Sequence, residues 1–312
     1  MRPSSRHHAV DYGAVRNLNC ISLLGLLAAA ALAVSACGGS GNSSSSAGAP
    51  SGSAGGQTST QSASACTPAS LATHTPGTLT VATDSPAYPP YFEDNKPANG
   101  KGFESAVAYA VASKLGYSRD KVKWVVEPFD SSYAPGPKSF DFDINEISIT
   151  KPREQAVDFS APYYTNPQGV IVAANGPYAH VTSLAGLKKA NLGVQIGTTS
   201  LAAVNSEIKP DKQPQVFNTS NDVVSAFKIH RVDAIVVDLA TAFQLTATQL
   251  PHTTIAGQFS APGGDNWGLL LSKGSKLTSC VDRAVNGLRS DGTLAALDKR
   301  WIASAASAPE LH

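Results

Sequence analysis

Charge, sulfur and long apolar runs are all scarce in this chain of 312 residues. Charged residues make up 15% of it, and the formal net charge is +1. With so little basic excess, and no basic patch interleaved with aromatics, nothing points to a nucleic-acid partner. The four cysteines are far apart, and no histidine pair has ligand spacing beyond His7-His8, so no metal site is expected. No motif requires a cofactor. The apolar run from Ile21 to Val34 is too short to span a bilayer securely. Hydrophobic residues, at 42%, supply ample material for a core and for two domains.

That apolar run follows Arg2, Arg6 and Arg16, the order of an export signal. Val34-Ser35-Ala36-Cys37 resembles a bacterial lipobox, which makes residues 1–36 a lipoprotein signal peptide and Cys37 the lipid-modified first residue. The alternative is ordinary secretion with cleavage after Ala36. The remainder of 37–65 is almost wholly Ser, Gly, Ala, Thr and Gln with hardly a large apolar side chain, so it reads as a flexible tether. With Cys20 removed and Cys37 lipidated, Cys66 and Cys280 remain. In an exported protein such a pair most simply forms a disulfide, worth about 5 kcal/mol at most for so long a loop. Two separately buried thiols are the weaker alternative.

The globular part opens with a strand at Leu79–Asp84, then the stiff aromatic loop Ser85–Phe92. Phe103, Val107, Val111 and Leu115 recur at helical spacing, stopped by Gly116. Val122–Val126 is a second strand. Ser131–Lys138, with two prolines around a glycine, cannot be a helix interior. Asp143–Tyr164 then reads as a strand ending near Asn145, a loop carrying Ser148, Thr150 and Arg153, and a second extended run at Ala156–Phe159. A guanidinium past a strand end, among hydroxyls and N–H groups, suits a carboxylate. The bland alternative pairs Arg153 with Glu154 or Asp158. Further on, Gly197-Thr198-Thr199-Ser200 delivers hydroxyls and unpaired N–H groups to a helix expected from about Leu201, again suited to a carboxylate. Asn221-Asp222 is expected to cap the next helix. Ala234–Asp238 is an apolar strand ending in an acid.

SITKPREQAVDFSAPYYTNPQGVIV (residues 148–172) resembles the extracellular solute-binding proteins of amino-acid ABC importers, and the similarity continues from about Gly77 to Trp301. The resemblance implies an α/β, two-lobe periplasmic-binding-protein-like (type II) fold with two crossing strands and a central ligand cleft. It divides the mature chain into lobe 1 (66–167 and 262–312, the latter with the closing helices) and lobe 2 (168–261). It also implies roles: Arg153 and the Thr199 turn hold a ligand α-carboxylate, Asp238 holds the α-ammonium, and Tyr88 or Tyr91 stacks on the ligand while the other ring packs on the first helix. Asp84, Phe129, Ser148 and Gln195 complete the expected ligand set. Glu146 departs from the family, which has a small residue there; it either reaches into the cleft or turns outward to Lys151 or Lys101.

The expected function is capture of an amino acid between the lobes and delivery to a permease in the cell membrane by a lipid-anchored, extracytoplasmic monomer. Asp84, Glu146 and Asp238 outnumber Arg153, which favours a cationic or amide side chain. Two rivals are a cyclohexadienyl dehydratase-like enzyme on the same fold, with Glu146 as acid, and a ligand-sensing module.

Overall fold

The computed structural model describes residues 66–302 and 308–312; the expected signal peptide, the expected lipidation at Cys37 and the expected tether lie outside the described residues. Two five-stranded sheets each sit between helices, and two crossing segments join them.

The first lobe begins with β1 (Leu79–Thr83), α1 (Phe103–Lys114) and β2 (Val122–Val126). Every residue of β1 is buried, as expected for a central strand that runs parallel to both its neighbours. The one-turn α2 (Phe129–Ser132), β3 (Phe142–Asp143), α3 (Lys151–Ala156), β4 (Val157–Phe159) and β5 (Tyr164–Thr165) follow. Here the structure corrects the sequence reading. The strand stops at Asp143, and the expected loop around Arg153 is a helical turn. The Thr150 hydroxyl accepts the Arg153 N–H and Pro152 starts the turn, so residues 151–156 are helical and extended backbone resumes only at Val157.

The second lobe contains β6 (Gln168–Ala173), β7 (Leu192–Gln195), α4 (Thr199–Ala203), β8 (Gln215–Phe217), α5 (Ser220–Lys228), β9 (Ala234–Asp238), α6 (Leu239–Thr248) and β10 (Thr253–Phe259). Its sheet runs β10-β6-β9-β7-β8. Helix α4 starts two residues earlier than expected because Thr198, not a later residue, caps it. The cap of α5 is Thr219, whose hydroxyl accepts the Asp222 N–H and donates to the Asp222 carboxylate. Asp222 therefore completes a reciprocal cap of the Thr-x-x-acid kind, in place of the expected Asn221-Asp222 cap. Valines and isoleucines of β6, β7 and β9 face two apolar clusters, one on each side of this sheet.

The chain returns through β11 (Asn266–Trp267), which pairs with β5, and β12 (Leu270–Ser272), which pairs with β3 and β4. The return to the first lobe is thus made by two short strands. The first sheet is completed in the order β2-β1-β3-β12-β4. Helices α7 (Thr278–Ser290) and α8 (Thr293–Trp301) pack behind it with α1. Cys66 and Cys280 form a disulfide spanning 214 positions, with Cα atoms 5.6 Å apart. Residues 308–312 do not stay with the first lobe: Leu311 is buried in a second-lobe cluster, and Gln258 N–H donates to Pro309 O.

Trp267 is fully buried at the crossing, with the rings of Tyr91, Tyr163 and Tyr164 at 5.4, 6.2 and 5.2 Å. Burial of a ring the size of Trp267 in this aromatic knot contributes about 3–5 kcal/mol.

Candidate functional site

A cavity of about 120 Å³ lies between the lobes, and all ten sequence-expected residues line it: Asp84, Tyr88, Tyr91, Phe129, Glu146, Ser148, Arg153, Gln195, Thr199 and Asp238. Strand ends and tight turns place most of them, so the residues gather where the backbone leaves the two sheets.

Arg153 marks one end. Its capped turn holds the side chain almost fully buried, at 8% exposure. The guanidinium donates to Ser148 O at 2.7 Å and, across the cleft, to Gly197 O at 2.9 Å. Tyr133 and Phe129 lie against its faces at 4.5 and 5.4 Å. Pairing with Glu154 or Asp158 is overturned, since Lys151 holds Glu154 at 2.8 Å and Lys273 holds Asp158 at 3.1 Å. Burial lowers the Arg153 pKa from its ordinary value, while Tyr133 and Asp238 act in the opposite direction; a guanidinium stays charged throughout.

The second-lobe turn faces it. Gly197 has φ 73°, and a Cβ there would come within 2.3 Å of the Tyr133 hydroxyl and 2.7 Å of the Asp130 carboxylate. Both the turn and the close approach of the lobes need glycine. Beside it, the Ser148 and Thr199 hydroxyls meet at 3.2 Å across the cleft. Burial, then Asp130, pushes the Tyr133 phenol up to about 12.

The other end is acidic. Glu146 adopts φ 53°, an uncommon conformation for a non-glycine residue. Its N–H donates at 2.6 Å to Glu104, and its carboxylate accepts from Thr241 Oγ1 at 3.2 Å. Thr241 also meets the Tyr91 hydroxyl at 3.0 Å, so a first-lobe acid and phenol share one second-lobe hydroxyl. Of the two orientations open for Glu146, the structure adopts the inward one. Tyr91 is the ring packed in the first-lobe core, at 1% exposure, while Tyr88 is half-buried on the cavity wall.

Asp238 ends β9 and accepts from Gln168 at 3.1 Å. Burial and Asp265 raise its pKa to about 8, against the opposing pull of Gln168 and Arg153. Glu104, fully buried, is raised to about 7 by burial. Burial first, then Glu104 and Asp238, drives Glu146 well above the carboxylate range. Asp143, beneath them, is driven well up by burial and by Glu104.

Sequence reasoning missed Thr241, Tyr133, Gln168 and Glu104. Thr241 lies three residues after Asp238 at the start of α6 and was findable from that junction. Tyr133 sits in the Pro-Gly-Pro region that was read only as a helix breaker. Glu104 lies in a helix whose apolar stripe read as core, and nothing in that stripe points to a buried acid. Among the described residues, no group of three or more His, Cys, Asp or Glu could hold a metal ion, and no helix is long and apolar enough to cross a membrane.

Residues 79–304 match the family of bacterial extracellular solute-binding proteins, family 3. The L-cystine-binding protein TcyJ of Escherichia coli strain K12 is 27% identical over 231 residues, covering 72% of this chain and 83% of that protein. The lysine/arginine/ornithine-binding periplasmic protein of the same strain is 27% identical over 235 residues, covering 73% and 88%. The structure of an ancestral arginine-binding protein bound to glutamine aligns at a TM-score of 0.62 and 30% identity, covering 73% of this chain and 99% of that one.

Proposed function

This chain belongs to the bacterial extracellular solute-binding proteins, family 3, and we propose that it captures one amino acid between its lobes for an ABC importer. The carrying observation is the charge layout of a cavity built from both lobes. Arg153 and the Thr198–Thr199 helix start lie at one end, and Asp238 and Glu146 at the other. A free amino acid presents a carboxylate for the first end and an ammonium for the second. Its carboxylate would take the guanidinium donors now held by Ser148 O and Gly197 O, with the Thr199 region adding hydroxyl and N–H donors. Its ammonium would neutralise Asp238. No bond is made or broken; closure of the lobes is the signal passed to the permease.

The second acid supports a finer reading. One carboxylate suffices for the α-ammonium, so Glu146, at the half-buried wall beside Tyr91 and Thr241, favours a cationic or amide side chain over an acidic one. Similarity to proteins described as binding lysine, arginine, ornithine and glutamine supports the same class. The lipobox-like sequence ending at Cys37 supports a lipid-anchored, extracytoplasmic location beside the permease, with the protein acting as a monomer.

Thermal unfolding of residues 38–312 against a panel of the common amino acids and cystine tests the reading. A ligand at a hundredfold over its Kd adds about 2.7 kcal/mol. The expected result is a raised midpoint with a few related amino acids. Flat curves across the panel on ligand-stripped protein, or tighter binding of glutamate than of arginine, lysine and glutamine, would reject it.

A further inference from the structure

Next to Asp238 lies a buried polar cluster, centred on Gln168, that no capture step above uses. Gln168 is the first residue of β6, the outgoing crossing strand, and is fully buried. Its backbone already pairs with Asp238 on one side and Phe259 on the other. Its side chain is therefore surplus to the sheet, yet every polar atom of it is engaged. The Oε1 atom accepts from Ser200 Oγ at 2.5 Å. Nε2 donates to Asp265 Oδ1 at 2.9 Å and to Asp238 Oδ1 at 3.1 Å.

An amide nitrogen carries two hydrogens, and here each has its own carboxylate. The reverse orientation would point the amide carbonyl at two acids and its NH2 group at Ser200, so the orientation is fixed by the partners. Asp265 belongs to the return crossing, where its second oxygen accepts from Ala261 N–H at 3.0 Å and its carbonyl accepts from Asn166 N–H at 3.0 Å. One side chain thus joins the outgoing crossing, the return crossing and the acid at the cleft. It also occupies the space between two buried carboxylates that would otherwise face each other directly.

We propose that Gln168 is a positioning residue: its amide holds Asp238 Oδ1, leaves the other Asp238 oxygen directed at the ligand cation, and couples that acid to the return crossing through Asp265. The ligand cation is that of the function proposed above, and the inference rests on that reading for it. The effect on Asp238 itself does not depend on any ligand.

The other titratable groups near Asp238 are Arg153, Glu104, Glu146, Tyr91 and Tyr164. Arg153 favours the charged acid. Glu104 and Glu146 oppose it when ionised. The two phenols stay neutral over the relevant range, since both are raised from their ordinary value by burial. Against this fixed background, donation from Gln168 favours ionised Asp238, and the Asp265 charge disfavours it. The two neighbours therefore make opposite predictions.

The test follows the side-chain carboxyl carbon resonance of Asp238, identified by its loss in Asp238→Asn, through a pH titration of ligand-free residues 38–312. Gln168→Met, similar in length but without a donor, should raise the midpoint by about one pH unit, the scale of one hydrogen bond to a charged group. Asp265→Asn should lower it. Ser200→Ala, which frees the amide to turn, should raise it by less. L-arginine, as a probe, should then bind Gln168→Met about tenfold more weakly at pH 7. A midpoint that stays put or falls in Gln168→Met, or rises in Asp265→Asn, overturns the proposal. Should Gln168→Met not fold, the sign of the Asp265→Asn and Ser200→Ala shifts decides alone. If the midpoints move as expected while no panel amino acid binds the wild type, the ligand reading fails and the positioning of Asp238 stands.

Discussion

The arginine end and the acid end of the cleft are built on opposite principles. Arg153 is one charge surrounded by partners: two carbonyls, two aromatic faces and a capped turn that fixes its backbone. The acid end has several carboxyls and few donors. Glu104, Asp143, Glu146 and Asp238 are all raised above the carboxylate range, and burial is the first cause in each. Neither oxygen of Asp143 has a hydrogen-bond partner, nor does Oε2 of Glu104. The arginine end is held in place by protein partners before any ligand; the acid end is poised to gain from a cation. That difference explains how one cavity can hold its closed geometry through protein contacts and still reserve a strong electrostatic gain for capture.

Removing the arginine should produce the largest effect. Arg153→Ala strips a buried, hydrogen-bonded charge from the carboxylate end and should weaken amino-acid binding by about 2–5 kcal/mol, or thirtyfold to several thousandfold, by calorimetry. Retained affinity would show that the carboxylate sits elsewhere. Loss of the disulfide comes next. Cys66→Ser with Cys280→Ser opens a loop of 214 positions and should cost about 2–5 kcal/mol in denaturant unfolding, with ligand affinity unchanged, because neither cysteine lines the cavity.

The acid end makes a prediction of particular sign. Glu104 has a folded pKa near 7, above its usual value of 4.5. The folded state therefore holds a proton that the unfolded state has released, and stability falls as pH rises from about 4.5 to 7. Asp238 extends the same trend to about 8. Ligand-free protein should thus lose thermal stability between pH 5 and 8, and Glu104→Gln should flatten part of that loss, by about 1–3 kcal/mol. A midpoint rising over this range would mean that the buried acids are ionised and paired. Glu146→Gln should have the smallest effect. It removes an ionisable carboxyl and keeps the shape, and should reduce preference for arginine over glutamine about tenfold in competition binding. An unchanged ratio would remove Glu146 from selectivity.

The arginine end was also the more legible in sequence, and for the same physical reason. Arg153 and Thr199 belong to local patterns, a turn past a strand and a turn running into a helix, so their placement follows from a few neighbouring residues; at the acid end only Asp238, which closes a strand, shares that legibility. The acid end depends on distant partners. Glu104 and Glu146 are 42 positions apart and meet through a backbone N–H. The inward aim of Glu146 comes with a left-handed φ that no composition rule announces. Gln168 read simply as the start of a crossing strand, because its three partners lie 32, 70 and 97 positions away. Strands β1, β2 and β9 and helix α1 were legible from local patterning, whereas α6 and β10 were not read from the sequence, and the turn at 151–156 was converted to helix by a threonine cap.

The central claim is that a single α-amino acid bridges Arg153 and Asp238. Calorimetry with the tightest member of the amino-acid panel, its analogue lacking the α-carboxylate, and its analogue lacking the α-amino group tests it most directly. Strong binding of the parent is expected, with a loss of about a hundredfold or more for each analogue, since each leaves one buried charge unpaired. An analogue lacking either group that binds as tightly as the parent would contradict it.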